Sequence, residues 1–591
     1  MELGEFFKIL FYGLRFDSFS IAASNSLYIL LFLLPFPFYY SKQYQNLLKT
    51  IFVLINAFFV MLNFIDFAYF PFNQRRSTIQ LFKFIFGNQI NILELIPHFI
   101  EEYWYIIILY LFIIWLLYKY YELTLNKLKP KIYSYSFNNI GIYVSIFILF
   151  NSLTILGIRG GWQKIPIVLL DAAQYTKQQY IPIVLNTPFS LLKSTELSEM
   201  KPLNLIPNEK ADTYFSPIHK AEISTFKNIN VCVIILESFS KEFTNIGNRK
   251  SYTPFLDSLM RKSLVFTNAY ANGKTSMDGI PSILASLPPL MQNPYINSAY
   301  SNNKIETLAN LLKTKGYHTT FFHGGTNGTM NFNSFAEIAG FENYYGRTEY
   351  NNENDYDGQW GIWDDAFLRK VPGVISTNKE PFFASIFTLS SHNPYLVPDN
   401  FKGRFPKGNQ DILESLGYTD YSLSVFFNEC KKQPWYNNTL FVITSDHSAE
   451  SYDEFYSNVI GQYSIPIIIF KNDELNGKSN KTVQQIDILP TILDYLNYDK
   501  SYYAFGQSMF SLEKKPAIWF ISPNYYVQQD SLLYIYNSQY FLEAYNVVQD
   551  SLLTKNIFGK NKKRDNEILN FTQSFIQRYI NDMINNKTHC K

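Results

Sequence analysis

At 591 residues the chain is longer than one compact domain usually is, and two or three units are expected. The 51 Lys and Arg against 49 Asp and Glu leave a formal charge of +2, so no whole-chain field draws it to nucleic acid. Aromatic residues make up 18%, and much of the Phe and Tyr lies in the first 160 residues, where such rings suit membrane interfaces.

Residues 1–17, with Phe6, Phe7, Ile9, Leu10, Phe11 and Leu14, read as an interfacial amphipathic segment. Four apolar runs follow, Phe19–Tyr40, Ile51–Phe70, Tyr103–Tyr118 and Ile140–Ile158. They are expected to be membrane spans, which take roughly 20 helical residues each. No cleavable signal-peptide pattern stands at the start. Lys119, Lys127, Lys129 and Lys131 form the clearest basic cluster and mark a cytoplasmic connection after the third span. The chain beyond about Gly160 is then outside. The amino terminus falls outside too, with Lys8 and Arg15 against the rule, unless a further span precedes the sequence. Arg75, Arg76 and Lys83 are ambiguous, and Asp66 is either a functional intramembrane acid or a residue reaching the interface.

Four regions are expected: a transmembrane domain (1–160), a linker along the membrane surface (161–220), a catalytic domain (221–510) and a C-terminal subdomain (511–591). The runs Val231–Leu236, Phe382–Leu389, Thr439–Thr444 and Ile465–Phe470 are continuous and apolar, and alternate with helical stretches such as Thr307–Lys315. That pattern means an α/β domain with a mostly parallel sheet covered on both faces. Residues 515–560 read as strands and turns, and Glu567–Ile584 as a helix. Cys232, Cys430 and Cys590 are too few and too scattered for a disulfide framework.

The chemistry centres on Ala271-Asn-Gly-Lys-Thr-Ser-Met-Asp-Gly-Ile-Pro281, after the strand-like run Leu264–Tyr270. A hydroxyl at Thr275 or Ser276 sits where loop becomes helix, and free N–H groups at a helix start stabilise negative charge. A metal can make such a hydroxyl a nucleophile, which suggests chemistry on an anionic ester. Four strand ends carry polar residues: Glu237-Ser238, His323-Gly-Gly325, Ser390-Ser-His392 and Ser445-Asp-His-Ser448. Open α/β sheets place their sites there. Glu237, Asp446, His447 and a hydroxyl offer three oxygens and one nitrogen, which suits Mn²⁺, Mg²⁺ or Zn²⁺.

The order Leu-Glu-Ser238, Gly-Lys-Thr-Ser276, Ser-His-Asn-Pro-Tyr395, Ser-Asp-His447, behind several spans, resembles the lipoteichoic acid synthase family over roughly residues 15–510. Those are membrane-anchored, sulfatase-like phosphoglycerol transferases of the alkaline phosphatase superfamily. The resemblance implies one Mn²⁺-like ion held by Glu237, the loop hydroxyl, Asp446 and His447. It makes His392 the residue that meets the substrate phosphate and His323 a second histidine lining the pocket. Lys274 becomes a candidate substrate contact, with a solvated surface charge as the alternative. The ungapped match selects Thr275 as nucleophile; matching Asp278 and Ala285-Ser-Leu287 selects Ser276, the preferred register. The family's Trp and Arg that hold the head group have no counterpart in Gly324-Gly-Thr-Asn-Gly-Thr-Met-Asn-Phe332, so the head group stays open.

The expected reaction is a ping-pong transfer from a membrane phospholipid to an envelope glycan, lipid or polymer acceptor, on the extracytoplasmic side of the cell membrane. A phosphoethanolamine transferase is the nearest alternative, although those domains usually carry several disulfides. A plain sulfatase would need Cys or Ser followed by x-Pro-Ser-Arg, which the loop lacks. A silent polymer-binding membrane protein is the non-enzyme alternative, opposed by Glu237, Asp446 and His447. Trp360-Gly-Ile-Trp-Asp-Asp365 is expected to be a helix start that packs two indoles against the sheet.

Overall fold

The computed structural model describes residues 3–34, 38–39, 41–73, 76–77, 92–127, 137–162, 166–167, 172, 175–176, 180–196, 200–221, 225–247, 250–298, 300, 303–472 and 474–590. The chain divides into two compact units, residues 1–83 with 92–197, and residues 84–91 with 198–591.

The first unit is helical: α1 (Leu3–Ser24), α2 (Ser26–Leu33), α3 (Lys42–Asn73), α4 (Ile92–Lys127) and α5 (Phe137–Arg159). Lys42–Ala68, Ile100–Leu125 and Ile140–Arg159 are each long and apolar enough to cross a membrane. A fourth crossing results if α1 and α2, bent by 61° at Asn25, act as one span. The start differs from expectation. Residues 3–17, expected to be an interfacial segment apart from the first span, are the first turns of α1, which runs on to Ser24 and has Ile9, Phe16 and Phe19 buried in a small core with Phe189. Apolar residues on one side of α1 continue past residue 17, so nothing in the sequence ends the helix there. Asp66 is buried, 3.6 Å from the Arg76 guanidinium, and accepts hydrogen bonds from the Ser77 amide and the Thr187 hydroxyl. Arg75, Lys83, Lys129 and Lys131 lie outside the described residues.

The second unit is built on strands. In chain order they are β1 (Ile218–His219), β2 (Asn230–Leu236), β3 (Leu264–Tyr270), β4 (His318–His323) and β5 (Asn343–Tyr345). Then come β6 (Phe382–Phe387), β7 (Thr439–Ser445), β8 (Ile467–Phe470), β9 (Gly477–Gln484) and β10 (Tyr502–Tyr503). Last are β11 (Ala517–Ile521), β12 (Asn524–Gln529), β13 (Leu532–Tyr536) and β14 (Phe541–Asn546). The main sheet runs β5-β4-β6-β2-β7-β8-β3-β9, and β11 to β14 form a separate antiparallel sheet. Every pairing in the main sheet is parallel except those of β8, antiparallel to both β7 and β3. The segment between β7 and β8 holds no crossover helix, only a short 3₁₀ turn, so the chain returns antiparallel.

All seven residues of β2 are buried. Val231, Val233 and Ile235 enter one core, and Cys232, Ile234 and Leu236 the other, which is the period-two signature of a sheet covered on both faces. The first core takes Ile280, Ile283 and Leu284 of α6 (Ser276–Ala285); the second takes Phe367, Leu368 and Val371 of α7 (Asp364–Ile375) and Leu416 and Phe426 of α8 (Ile412–Cys430). The terminal helix α9 (Lys562–Ile584) joins the first core through Phe575 and Tyr579.

Candidate active site

Four neighbouring strands, β4, β6, β2 and β7, release their chains at the same edge of the sheet. Glu237 follows β2 directly, and Asp446 and His447 follow β7, its hydrogen-bonded parallel neighbour. Adjacency in the sheet thus joins residues more than 200 positions apart in sequence.

Glu237, Asp446 and His447 each present a ligand atom within 4.8 Å of the others. Both carboxylates are buried, and burial together with the Asp446 charge pushes the Glu237 carboxyl well above its usual range. The His447 Nδ1–H donates to the Ser448 carbonyl at 3.0 Å, leaving the Nε2 lone pair toward the acids. That nitrogen stands 3.3 Å from Asp446 Oδ2 and 3.6 Å from Glu237 Oε1. Asp446 Oδ2 is buried and makes no hydrogen bond among the described residues. The three ligand atoms converge on one gap, and two carboxylates with one imidazole fit a hard or borderline divalent cation.

Ser238 braces this cluster. Its φ of 59° lies in the left-handed region, strained for a residue with a Cβ. In that conformation its N–H donates to Asp446 Oδ1 at 2.9 Å and its hydroxyl to Glu237 Oε1 at 2.6 Å. The Glu237 amide donates to Thr388 Oγ1, and the Ser391 hydroxyl to the Glu237 carbonyl.

The two candidate hydroxyls take different partners. Thr275 is the N-cap of α6 in extended conformation, and its Oγ1 donates to Asp278 Oδ2 at 2.8 Å. Ser276, the first helical residue, is buried and sends its Oγ to Glu237 Oε2 at 3.3 Å. The helix is held against the acids by a close approach at Gly279, where an added Cβ would fall 2.2 Å from the Asp446 carbonyl oxygen. Lys274 is not the solvated charge that was one alternative: it is buried, and its Nζ donates to the Ser448 hydroxyl (3.1 Å) and carbonyl (3.4 Å) and the Gln462 carbonyl (3.0 Å). Burial lowers its pKa to about 8.

His392 ends the segment after β6. Its Nδ1–H donates to the Asn393 carbonyl at 2.9 Å, and burial lowers its pKa, so the ring is neutral near pH 7 with Nε2 free to accept a proton. His323, at the end of β4, is fully buried with its pKa lowered to about 4 by desolvation, and its ring stacks on Phe387 at 4.9 Å. The helix start is as expected, with Trp363 directly before α7, but the indoles expected on the sheet take other partners: Trp363 packs edge-on to Tyr418 of α8, and the Trp360 ring centroid is 4.2 Å from that of His392.

Several supporting residues carry no sequence signal. Gln485 donates to the Ser445 and Asp446 carbonyls at 2.7 Å and accepts from the Asn272 amide, tying the end of β7 to the nucleophile loop. Asp364 accepts from the Leu389 and Ser390 amides and the Thr419 hydroxyl, fixing the segment that leads to His392. A lone Gln after a strand and a lone Asp at a helix start are ordinary, and only the fold gives them partners.

Residues 229–498 match the sulfatase family model. Among curated proteins the chain is similar to lipoteichoic acid synthase 2 of Bacillus subtilis (strain 168), 28% identical over 392 residues, 60% of this chain and 57% of that one. The chain thus spans little more than half the length of that relative. A protein of the alkaline phosphatase superfamily from Vibrio parahaemolyticus aligns with a TM-score of 0.59 at 23% identity, over 65% of this chain and 98% of that one. Lipoteichoic acid synthase LtaP from Listeria monocytogenes aligns with 0.52 at 20% identity, over 62% and 96%. These two structures share the fold.

Proposed function

We propose that the chain is a metal-dependent phosphotransferase that moves a phosphoglycerol-type head group from a membrane phospholipid to a hydroxyl acceptor of the cell envelope, through a phosphoserine at Ser276. The observation that carries this reading is the Ser276 hydroxyl, at a helix N-terminus, directed onto a Glu-Asp-His cluster whose two carboxylates are buried. Similarity to lipoteichoic acid synthase 2 supports the head group, and the apolar helices of the first unit support a membrane donor.

Glu237, Ser276, Asp446 and His447 would hold the ion, with Mn²⁺ favoured by the resemblance and Mg²⁺ or Zn²⁺ compatible with the donors. When bound, the ion lowers the pKa of the serine hydroxyl and offsets charge on the phosphoryl oxygens. In the first half-reaction Ser276 Oγ loses its proton and bonds to phosphorus as the bond from phosphorus to the diacylglycerol oxygen breaks. Diacylglycerol leaves as the alcohol, having gained a proton. In the second half an acceptor hydroxyl bonds to phosphorus, the bond to Ser276 breaks, and the serine is reprotonated. His392 Nε2 takes the acceptor's proton, its other nitrogen being fixed by the Asn393 carbonyl. The first N–H groups of α6 face the phosphoryl oxygens. His323, neutral and sealed against Phe387, lines the pocket without adding charge. Thr275 shapes the turn through Asp278, and Lys274 anchors the loop from beneath. The second unit acts on the extracytoplasmic face of the membrane.

The test is diacylglycerol release by the full-length chain in lipid nanodiscs. Release from phosphatidylglycerol with Mn²⁺, abolished by chelation and by Asp446→Asn, is expected. Release from phosphatidylethanolamine alone would make it a phosphoethanolamine transferase. No release from either lipid would refute the transferase reading.

A further inference from the structure

Outside the catalytic cluster, the C-terminal subdomain carries a basic run that the phosphoryl chemistry does not use. Ser551–Arg564 holds five cations, Lys555, Lys560, Lys562, Lys563 and Arg564, and no acid. Arg564 lies 3.6 Å from Asp530. The four lysines are exposed, and none has an ion-pair partner among the described residues.

Three of the five cations stand where a helix disfavours them. Lys562, Lys563 and Arg564 open α9, and a helix N-terminus already carries positive partial charge. Asp565, the acid of that turn, is buried and accepts from the Tyr534 hydroxyl. A placement that costs the fold stability and gains no internal partner points to a partner outside it.

The same region shows apolar side chains to water. Ten large apolar residues are exposed among the described residues of the second unit, and four of them, Tyr540, Val548, Leu552 and Phe558, fall between positions 540 and 558 at 43–78% exposure. Single exposed apolar residues are ordinary, but a group of them among unpaired lysines marks an interaction surface. The segment is also held in place. Asp550 accepts from the Thr554 hydroxyl at 3.0 Å and the Lys555 amide at 2.7 Å. The Ile557 amide donates to the Ala544 carbonyl at 2.8 Å, and Asn556 Oδ1 accepts from the Ala544 amide at 3.1 Å. These bonds lay the segment along β14, an edge strand of its sheet, and Phe558 packs on Phe541 with ring centroids 6.1 Å apart.

This mixture selects the partner. A soluble polyanion would engage the cations and leave the apolar side chains in water. An anionic bilayer takes both, the ammonium groups at the lipid phosphates and the apolar tips at the acyl boundary. Helices long and apolar enough to cross a membrane keep such a surface near the chain. We propose that Ser551–Arg564, with Tyr540 and Val548, is a lipid-docking surface for the anionic face of a bilayer. Each lysine beside that face strengthens docking roughly fivefold, and the four together several-hundredfold. Docking does not depend on the transferase reading, because no residue of the catalytic cluster takes part.

The test is fluorescence quenching on the full-length chain in nanodiscs, on a Cys590→Ser background because Cys232 and Cys430 are buried. A nitrobenzoxadiazole probe is attached at Leu552→Cys, at Phe558→Cys or, as a control, at the exposed Ile338→Cys. The quencher is a phospholipid spin-labelled near its head group. Quenching at residues 552 and 558 but not at 338 is expected in discs containing phosphatidylglycerol. It is lost in phosphatidylcholine discs, in ~1 M salt, and when Lys555, Lys560, Lys562 and Lys563 are all changed to Gln. That variant loses no internal partner, so its melting temperature is expected to hold; should it fall, changing the four lysines to Arg must preserve the quenching. Equal quenching at all three positions, none at 552 and 558, or quenching indifferent to the lysines overturns the proposal. A lysine-dependent emission change with inorganic polyphosphate, without quenching by lipid, overturns it too and makes the surface a polyanion site.

Discussion

Gly279→Ala perturbs the site through a backbone contact while every side chain that performs chemistry is kept. The added Cβ would lie 2.2 Å from the Asp446 carbonyl oxygen, where ordinary contact begins at 3.4 Å, so helix α6 and the end of β7 must separate by about 1.2 Å. Ser276 sits one turn up that helix and Asp446 belongs to the facing cluster, so the displacement falls on the approach of Ser276 to that cluster, 3.3 Å at Glu237 Oε2. A misplacement of about 1 Å costs on the order of 100-fold in rate. The stability effect is smaller, because overpacking of ~1–3 kcal/mol is partly offset by the ~1 kcal/mol helix preference of Ala over Gly. Diacylglycerol release and thermal melting of the same preparation separate the two. A wild-type rate in Gly279→Ala would refute the claim that this contact registers nucleophile to cluster.

Three further outcomes follow from the geometry. Ser276→Ala abolishes diacylglycerol release, while Thr275→Ala keeps measurable release because it loses only the bond to Asp278; steady-state assays of the two variants decide the register. Asp364 is raised from 3.8 to about 6 by burial, so the folded state binds its proton more tightly than the unfolded one, and stability from this group falls as pH rises from about 4 to 6. The advantage of wild type over Asp364→Asn in thermal melts shrinks across that window by up to about 3 kcal/mol. Arg76→Ala leaves the buried Asp66 carboxylate without its cation and lowers the stability of the first unit by roughly 3–5 kcal/mol, read as lost folded protein in detergent.

Much of this site is legible in the sequence because parallel sheets put chemistry at strand ends. Continuous apolar runs located β2, β6 and β7, and the polar residues that end them are those the fold brings together. The Thr275–Ser276 choice was legible only as a preference for Ser276, since adjacent residues at a helix start differ only in which way the first turn points them. The antiparallel course of β8 was hidden too: its Ile-rich run reads the same in either direction, and only the missing crossover helix decides it. The exposed apolar face of residues 3–17 is conspicuous in the sequence, whereas the buried stripe from Ile9 to Phe19 emerges only when Phe189 packs on it. Gln485 and Asp364 act through partners far away in sequence, and Trp360 gains its place beside His392 from the turn that Asp357 holds.

The most direct measurement is intact-mass spectrometry of the full-length chain, loaded with Mn²⁺ and quenched during turnover of phosphatidylglycerol. A mass increase equal to one phosphoglycerol group, present in wild type, absent from Ser276→Ala and absent after chelation, is the expected result. An adduct that persists in Ser276→Ala, or diacylglycerol release without any adduct, would contradict the covalent phosphoserine mechanism.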